Sequence, residues 1–550
     1  MEVLKFLPVK DLCNMSLVSR EINELCSRPK LWRNAKIRKL KFRTGDVRKF
    51  FEIRKYKKVK RLDFSRLSLV LESIQQILEH SIQSDLCEID LQGVNLSTIA
   101  PELLSKSLQP LQKVDLTFTK LTSTQAEHLF SYFENNQPTK MKEMSFKAIK
   151  LSTISPAILA STIARMEKVN LSFTELTTDQ LTALLDKLVT QNDVNLKDIE
   201  FFSVDLSGTP PRLLGKALGN LECVSLSNTE LRFEHIQSFF EEIMGSKNLK
   251  DVNLDFSELF YISKDIFAKS LIQLEKVSLA CTVMDIEQLE ALFELISKES
   301  KIKELDLLDT DLTGLDAVLM GSAINKLEKV NISGSKLVGD QLNPMVEQFD
   351  FKFLKDLNLD YLDLSKLSLE NTCKLLKSIK KISLKKANLT PEQLNSFWSD
   401  LAAPGEYGEL RDINFHGNNF SSVCSAALMD GATRLHSLDL SYTNIPTEAM
   451  CKVFQSISTR EDNCLQNLVL VGNIMDDLDP EDITRAMTKL EKLDLSSSGL
   501  QPHQINTVLA AVCSPMKELS LYNIKMENID QDILEMAKDV AFINYRYFSH

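Results

Sequence analysis

The stretch Leu111-Gln-Lys-Val114-Asp-Leu116-Thr-Phe-Thr-Lys-Leu121 decides the fold of this chain. Its apolar residues fall at positions 1, 4, 6 and 11, and a polar residue fills position 9. The pattern recurs eighteen times in 550 residues, starting at residues 59, 86, 111, 141, 166, 196, 221, 249, 274, 302, 327, 354, 379, 410, 435, 465, 490 and 516. From residue 86 every second step is 25 residues and the other steps are longer, so the true period is a pair of repeats. Such a period predicts an array in which each repeat completes the core of its neighbour.

Each repeat is predicted to contain one strand and one helix. Val114 and Leu116 alternate with polar residues, which predicts a short strand with its apolar side chains pointing inward. The following stretch 122–133 spaces apolar residues three and four apart behind capping Thr and Ser residues, as in an amphipathic helix. The 25-residue repeats often carry proline in a tighter return, and the longer ones carry a Gln-Leu pair. We therefore expect short and long helices to alternate.

This pattern resembles leucine-rich repeats of the ribonuclease-inhibitor class. The resemblance implies an α/β solenoid shaped as a horseshoe, with parallel strands on the concave face and helices on the convex face. We assign residues 59–539 to this solenoid, as eighteen repeats in short and long pairs. Val540, Ile543 and Tyr545 repeat the strand spacing once more, so residues 540–550 are expected to form a capping strand.

Residues 1–35 do not fit the repeat. Leu7-Pro8 and Asp11-Leu12, then Leu17-Val18-Ser19-Arg20 and finally Leu31-Trp32, occur in the order and at the distances of the F-box, which this segment resembles. The resemblance implies binding to an Skp-type adaptor and, through it, to a cullin scaffold. The implied adaptor contacts are Leu7, Pro8, Leu12, Leu17, Val18, Leu31 and Trp32. The chain starts within the first helix of such a module, which is expected to be shortened. The alternative is a helical cap on the first repeats.

A basic segment follows. Residues 36–61 hold thirteen Lys or Arg residues against Asp46 and Glu52, a net charge of +11 on a chain whose total is -11. Residues 36–58 are interpreted as a basic neck and a degenerate first repeat whose solvated side carries these charges. The alternative is a docking site for nucleic acid, for an anionic membrane or for an acidic surface of a partner protein. Among these partners, nucleic acid is disfavoured, since no basic groove is recognisable from the sequence.

Position 3 of the repeats alternates in charge along the chain. The short repeats carry Glu88, Glu143, Asp198, Asp251, Glu304, Asp356 and Asp412, and the long repeats carry Lys113, Lys168, Lys276, Lys329, Lys381 and Lys492. Strands lie about 4.8 Å apart, so each acid is expected to face a base on either side. We interpret this row as a structural ladder that fixes the pairing of the strands.

Apolar and aromatic residues recur at positions 7 and 8, where the strand ends. The candidate contacts for a target protein are Phe118, Phe173, Phe202, Phe256, Leu308, Tyr361, His416, Tyr442 and Tyr522. Exposed aromatic side chains are typical anchors of protein interfaces. The alternative is that some of these rings cover the strand ends.

Nothing in the sequence favours an enzyme. The seven histidines are scattered, no Gly-rich phosphate loop precedes a helix, and the ten cysteines form no Cys-x-x-Cys pair. We expect no catalytic residue, cofactor or metal. No export signal or membrane-spanning run is recognisable in the sequence, so a cytoplasmic or nuclear location is expected.

The two resemblances together imply the substrate-recognition subunit of an Skp-cullin-F-box ubiquitin ligase, monomeric apart from that complex. Residues 1–35 would bind the adaptor and the solenoid would bind a target protein. The alternative is a ribonuclease-inhibitor-like scaffold or inhibitor with no role in ubiquitin transfer. The identity of the target, and whether its recognition requires a modification, are left open by the sequence.

Overall fold

A computed structural model describes residues 36–37, 59–65, 69–137, 140–190, 193–403, 409–513, 515–524 and 528–545. The chain divides into two compact units, residues 1–274 and 275–550, which are called here the first and second halves. In each half, every described repeat contributes one short strand and one helix. Within each half, the strands form a parallel sheet and the helices pack against their neighbours in sequence order.

Within each half, the strands pair in chain order with no change of register. In the first half they are β1 (Lys36–Ile37), β2 (Arg61–Asp63), β3 (Glu88–Asp90), β4 (Lys113–Asp115), β5 (Glu143–Ser145), β6 (Lys168–Asn170), β7 (Asp198–Glu200), β8 (Cys223–Ser225) and β9 (Asp251–Asn253). In the second half they are β10 (Lys276–Ser278), β11 (Glu304–Asp306), β12 (Lys329–Asn331), β13 (Asp356–Asn358), β14 (Lys381–Ser383), β15 (Asp412–Asn414), β16 (Ser437–Asp439), β17 (Asn467–Val469), β18 (Lys492–Asp494), β19 (Glu518–Ser520) and β20 (Phe542–Asn544). Within each half, position 3 of one repeat faces position 3 of the next, as Glu88 faces Lys113.

The helices alternate in length along most of the chain. In the first half they are α1 (Leu71–Gln83), α2 (Pro101–Leu108), α3 (Ser123–Asn135), α4 (Pro156–Ala164), α5 (Thr178–Thr190), α6 (Pro211–Gly219), α7 (Phe233–Gly245) and α8 (Lys264–Leu271). In the second half they are α9 (Ile286–Lys298), α10 (Ala317–Ile324), α11 (Gly339–Glu347), α12 (Leu369–Ser378), α13 (Pro391–Ala402), α14 (Ser425–Ala432), α15 (Thr447–Thr459), α16 (Pro480–Met487), α17 (Pro502–Ala510) and α18 (Gln531–Val540).

The core lies between the strands and the helices. Leu111, Val114 and Leu116 are each at most 1% exposed, because positions 1, 4 and 6 point towards the helices. The residues on either side of position 4 are half-buried or exposed in nearly every strand, so the opposite face of the sheet carries the polar side chains. Strand periodicity thus separates a buried leucine face from an accessible polar face.

A buried glutamine joins several of the long helices to the repeat before them. Gln180 Nε2 donates to the carbonyl oxygens of Leu151 at 2.9 Å and Ile154 at 2.6 Å, while its Oε1 accepts from the Thr177 backbone N–H at 2.9 Å. Gln125 and Gln393 make the same three bonds in their own repeats. The amide satisfies backbone groups that would otherwise be buried without partners. This lock gives the Gln-Leu pair of the long repeats a structural role.

The predicted α/β architecture, with parallel strands and one helix in each repeat, is confirmed. Helix alternation has two exceptions, since α11 and α17 belong to long repeats but have nine residues each. These two repeats span only 27 and 26 residues, which leaves less chain for a helix. Residues 542–544 form a strand, β20, which pairs in parallel with β19.

Candidate protein-binding surface

The turn after each strand has the same backbone conformation throughout. In every repeat whose position 8 is described, this residue has a positive φ, between 50° and 75°. Its backbone N–H extends the parallel pairing in several repeats, as where Phe118 N donates to Lys147 O at 3.1 Å and Tyr442 N to Val471 O at 2.7 Å. The pairing on both sides of the turn therefore imposes a left-handed residue at this position.

Five aromatic residues occupy this left-handed position and are exposed. Their exposed fractions lie between 45% and 55%, and the five are Phe118, Phe173, Phe256, Tyr361 and Tyr442. Other repeats place residues there that suit the conformation, such as Gly93, Gly334, Asn228 and Asn523. A left-handed conformation costs a bulky residue roughly 1–2 kcal/mol. Strain of this kind is typically kept at functional sites, so these five rings are the strongest candidates for contact with a partner.

The position 7 candidates differ from the position 8 candidates. Phe202, Leu308, His416 and Tyr522 are half-buried. The Phe202 ring packs on Phe173 with the ring centroids 5.0 Å apart, and His416 packs beside Tyr442 at 5.2 Å. Position 7 thus supports the exposed rings from the side. The sequence pattern does not distinguish among the nine candidates, and the structure separates them into these two classes.

The predicted charge ladder at position 3 is present in part. Lys168 contacts Asp198 at 2.7 Å, Arg61 contacts Glu88 at 2.9 Å, and Lys113 pairs with Glu143. The ladder is interrupted at Cys223, which lies between Asp198 and Asp251 where the other repeats of its class mostly have lysine. Burial, followed by these two carboxylates, raises the pKa of the Cys223 thiol to about 11. The thiol is therefore protonated and unreactive at neutral pH.

A second ladder of ion pairs, which was not predicted from the sequence, lies at position 2 of the repeats. Its ion pairs include Lys142 with Glu167 at 2.7 Å, Lys303 with Glu275 at 2.6 Å and Lys355 with Glu328 at 2.6 Å. Glu222 accepts from both Lys250 and Lys197, whose ammonium groups lower its pKa. The sequence pattern could have predicted this ladder, because Lys and Glu alternate at position 2 with the same spacing as at position 3. Pairs as exposed as these contribute about 0 to 1 kcal/mol each.

The position 2 ladder fails in the second half. Four successive repeats carry Lys380, Arg411, His436 and Gln466 at this position, with no carboxylate among them. His436 contacts Asp412 at 3.3 Å and Gln466 at 3.0 Å. A shallow depression at this edge is lined by Arg411, His436, Asn463, Cys464, Leu465, Gln466 and Lys489. Several side chains that can donate hydrogen bonds therefore line this solvent-accessible depression.

The turn edge of the same repeats is both aromatic and basic. The ammonium groups of Lys385 and Lys386 each lie 5.5 Å from the centre of the Tyr361 ring. The Tyr442 ring lies against the next turn so closely that a methyl group placed on Gly472 would be 2.3 Å from it. His416 lies between these two groups. Burial lowers its pKa, and Lys385 and Lys386 act in the same direction, while Asp439 and Asp360 oppose them.

The residues predicted to contact the adaptor lie outside the described residues, at 7, 8, 12, 17, 18, 31 and 32. Sequence comparison addresses this segment instead. Residues 1–38 match a family model described as F-box-like. No curated protein matches the chain. The chain thus joins an F-box-like segment to a repeated α/β array.

None of the helices in the described part of the chain is long and apolar enough to span a membrane. Within those same ranges, no three His, Cys, Asp or Glu side chains lie close enough together to hold a metal ion.

Proposed function

We propose that this protein is the target-binding subunit of a ubiquitin ligase of the Skp-cullin-F-box type. Residues 1–38 bind the Skp-type adaptor, and the leucine-rich repeats hold a target protein. The F-box-like match at residues 1–38 carries this proposal, since that module is known for adaptor binding. The protein performs no chemistry of its own. Its role is to keep a lysine of the target near the ligase subunits that transfer ubiquitin.

The repeats support the part of this proposal that concerns binding of the target. In each half, strands with one polar face and exposed aromatic rings in the turns beside them give an accessible surface with aromatic anchors. Aromatic side chains often dominate the binding free energy of protein interfaces. Phe118, Phe173, Phe256, Tyr361 and Tyr442 are therefore proposed as target contacts. The half-buried residues at position 7 hold some of these rings in place.

The adaptor contact is tested by co-purifying the full chain with an Skp-type adaptor. The unaltered protein is expected to retain the adaptor through gel filtration. The double change Leu12→Ala and Trp32→Ala is expected to abolish co-purification, because a small helical module depends on a few apolar anchors. The control is Phe118→Ala with Phe173→Ala, which alters two exposed rings of the repeats and is expected to leave adaptor binding unchanged.

The reciprocal measurement uses target proteins captured by the full chain and identified by mass spectrometry. The Phe118 and Phe173 double variant is expected to lose targets that the Leu12 and Trp32 double variant keeps. If the unaltered protein does not bind the adaptor, the ligase role is wrong and a ribonuclease-inhibitor-like scaffold takes its place. Adaptor binding accompanied by ubiquitin transfer to a captured protein would exclude that alternative.

A further inference from the structure

The accessible strand face changes sign within the second half. The comparison uses positions 2, 3, 5, 7 and 8, which lie on or beside this face. In the four repeats from 274 to 378, four lysines at these positions meet seven carboxylates, a net charge of -3. In the four repeats from 379 to 489, the same positions carry five cations, namely Lys380, Lys381, Lys385, Lys386 and Arg411, against Asp412 and Asp439. This second surface, here called the basic face, has a net charge of +3 on a chain of -11.

Four of the five cations make no ion pair within the part of the chain that the structure describes. They are Lys380, Lys385, Lys386 and Arg411, whereas Lys381 lies 3.6 Å from Asp356. Lysines at position 2 elsewhere, such as Lys303 and Lys355, have carboxylate partners at 2.6 Å. The same backbone therefore carries neutralised lysines in one set of repeats and available cations in the next.

The available cations form two groups, one before the strands and one in the turns that follow them. Lys380 and Arg411 lie at position 2, and Lys385 and Lys386 lie at positions 7 and 8. Five or six residues separate the groups along the chain, and because the short strand β14 is followed by a turn, the distance between them is at most roughly 16–20 Å. An extended peptide spans this distance with about five or six residues. Tyr361 and Tyr442 offer apolar contact at the turn edge, and the depression beside Arg411 offers donors at the other.

We propose that the basic face binds an extended acidic segment of the target protein, whose Asp and Glu carboxylates pair with the two groups of cations. This inference rests on the proposed function for the origin of the segment. Arg411 offers a carboxylate a two-pronged hydrogen bond. A nucleic acid fits less well, because Asp412 and Asp439 lie within the face and a net charge of -3 borders it, so a continuous phosphate chain would meet repulsion.

The test measures fluorescence anisotropy with the full chain and a labelled ten-residue peptide. The peptide alternates five Glu or Asp residues with small residues around a central Leu. We expect it to bind at least about tenfold more tightly than the same peptide with Gln and Asn, and to weaken as salt rises. Lys385→Gln with Lys386→Gln, and Lys380→Gln with Arg411→Gln, are each expected to weaken binding about fivefold or more.

The matched control is Lys303→Gln with Lys355→Gln, which removes the same charge from paired lysines of the preceding repeats. It is expected to change the affinity by less than about twofold. Equal binding of the acidic and amide peptides, or an equal loss in the control, overturns the proposal. Tighter binding of a single-stranded oligonucleotide of the same charge also overturns it.

Adaptor co-purification on the same samples separates this proposal from the proposed function. Variants that lose the peptide and keep the adaptor support the basic face as a separate site. A protein that binds the peptide but no adaptor supports the acidic ligand and contradicts the ligase role. A protein that binds the adaptor but not the peptide contradicts the acidic ligand alone.

Discussion

The strand faces of the two halves use charge differently on the same backbone. In the first half, the four repeats from 111 to 220 carry five lysines and five carboxylates at positions 2, 3, 5, 7 and 8. Lysines and carboxylates on adjacent strands form ion pairs, as Lys142 does with Glu167 and Lys168 with Asp198. The basic face of the second half has five cations and two carboxylates. Strand pairing is continuous in both, so the fold does not require a neutral face, and unpaired cations are free to recognise a ligand.

The largest expected effect is a loss of stability when the buried glutamine, which occurs in both halves, is removed. Gln180→Ala removes the glutamine lock and leaves two carbonyl oxygens and one N–H without their partner, so it is expected to destabilise the first half by about 2–4 kcal/mol. Gln393→Ala should act alike in the second half. Chemical denaturation measures the effect. Gln237→Ala, which removes an exposed hydrogen bond to Glu241, is the control. A loss as small as in that control would contradict a structural lock.

The second prediction makes the basic face resemble the first half. Arg411→Glu places a carboxylate between Lys380 and His436, which restores the alternation of position 2. Binding of the acidic peptide is expected to fall about tenfold or more, because one cation is lost and one repelling charge is gained. Thermal unfolding should show no loss of stability. A variant that binds the peptide as before would show that Arg411 is not part of the site.

The third prediction concerns the strained aromatic row found in both halves. Phe118→Asn replaces a bulky left-handed residue with one that tolerates this conformation, so we expect a gain of about 1 kcal/mol in unfolding free energy. Capture of the target should weaken in the same variant. The reciprocal change Asn228→Phe, at the same position of another repeat, is expected to destabilise by a similar amount. Destabilisation by Phe118→Asn would mean that the ring supports the fold.

The fourth prediction completes the ladder of the first half. Cys223→Lys places an ammonium group between Asp198 and Asp251, where it is expected to add up to about 1 kcal/mol of stability at low salt. The gain should shrink in high salt, as thermal unfolding at two salt concentrations would show. Cys424→Lys, at an exposed cysteine outside the strands, serves as the control. Equal gains in both variants would contradict a ladder effect.

The smallest expected effect is a change in the pH dependence of stability caused by His416. Position 7 of the first half contains no histidine, so this effect is specific to the second half. Burial lowers the pKa of this imidazole in the folded state below its usual value of 6.5. The folded protein therefore binds this proton less readily than the unfolded chain, so the stability contribution is present above about pH 6.5 and is lost as the pH falls through the folded value. His416→Gln should flatten stability between pH 5 and 7. An unchanged pH profile would contradict this.

Much of the fold follows from residue spacing. The apolar positions 1, 4 and 6 predicted the strands, and their separation predicted the pairing of position 3 with position 3. Helix length was predicted from step length, and it failed at α11 and α17 because those long repeats contain few extra residues. For the candidate site, the sequence predicted the nine residues at positions 7 and 8, but not which of them are exposed. Burial and backbone conformation depend on the neighbouring repeat, so the difference between Phe173 and Phe202 could not be read from either residue alone.

By itself, the sequence determined that this chain is an array of strand and helix repeats preceded by an F-box-like segment, because both signals are local spacings of residues. Tertiary structure decided which charges are neutralised and which aromatic rings are strained and exposed. Lys303 and Arg411 occupy the same position in their repeats and are both cations. Only the residue on the adjacent strand, about 30 residues away in sequence or less, makes one a ladder member and leaves the other available to a ligand.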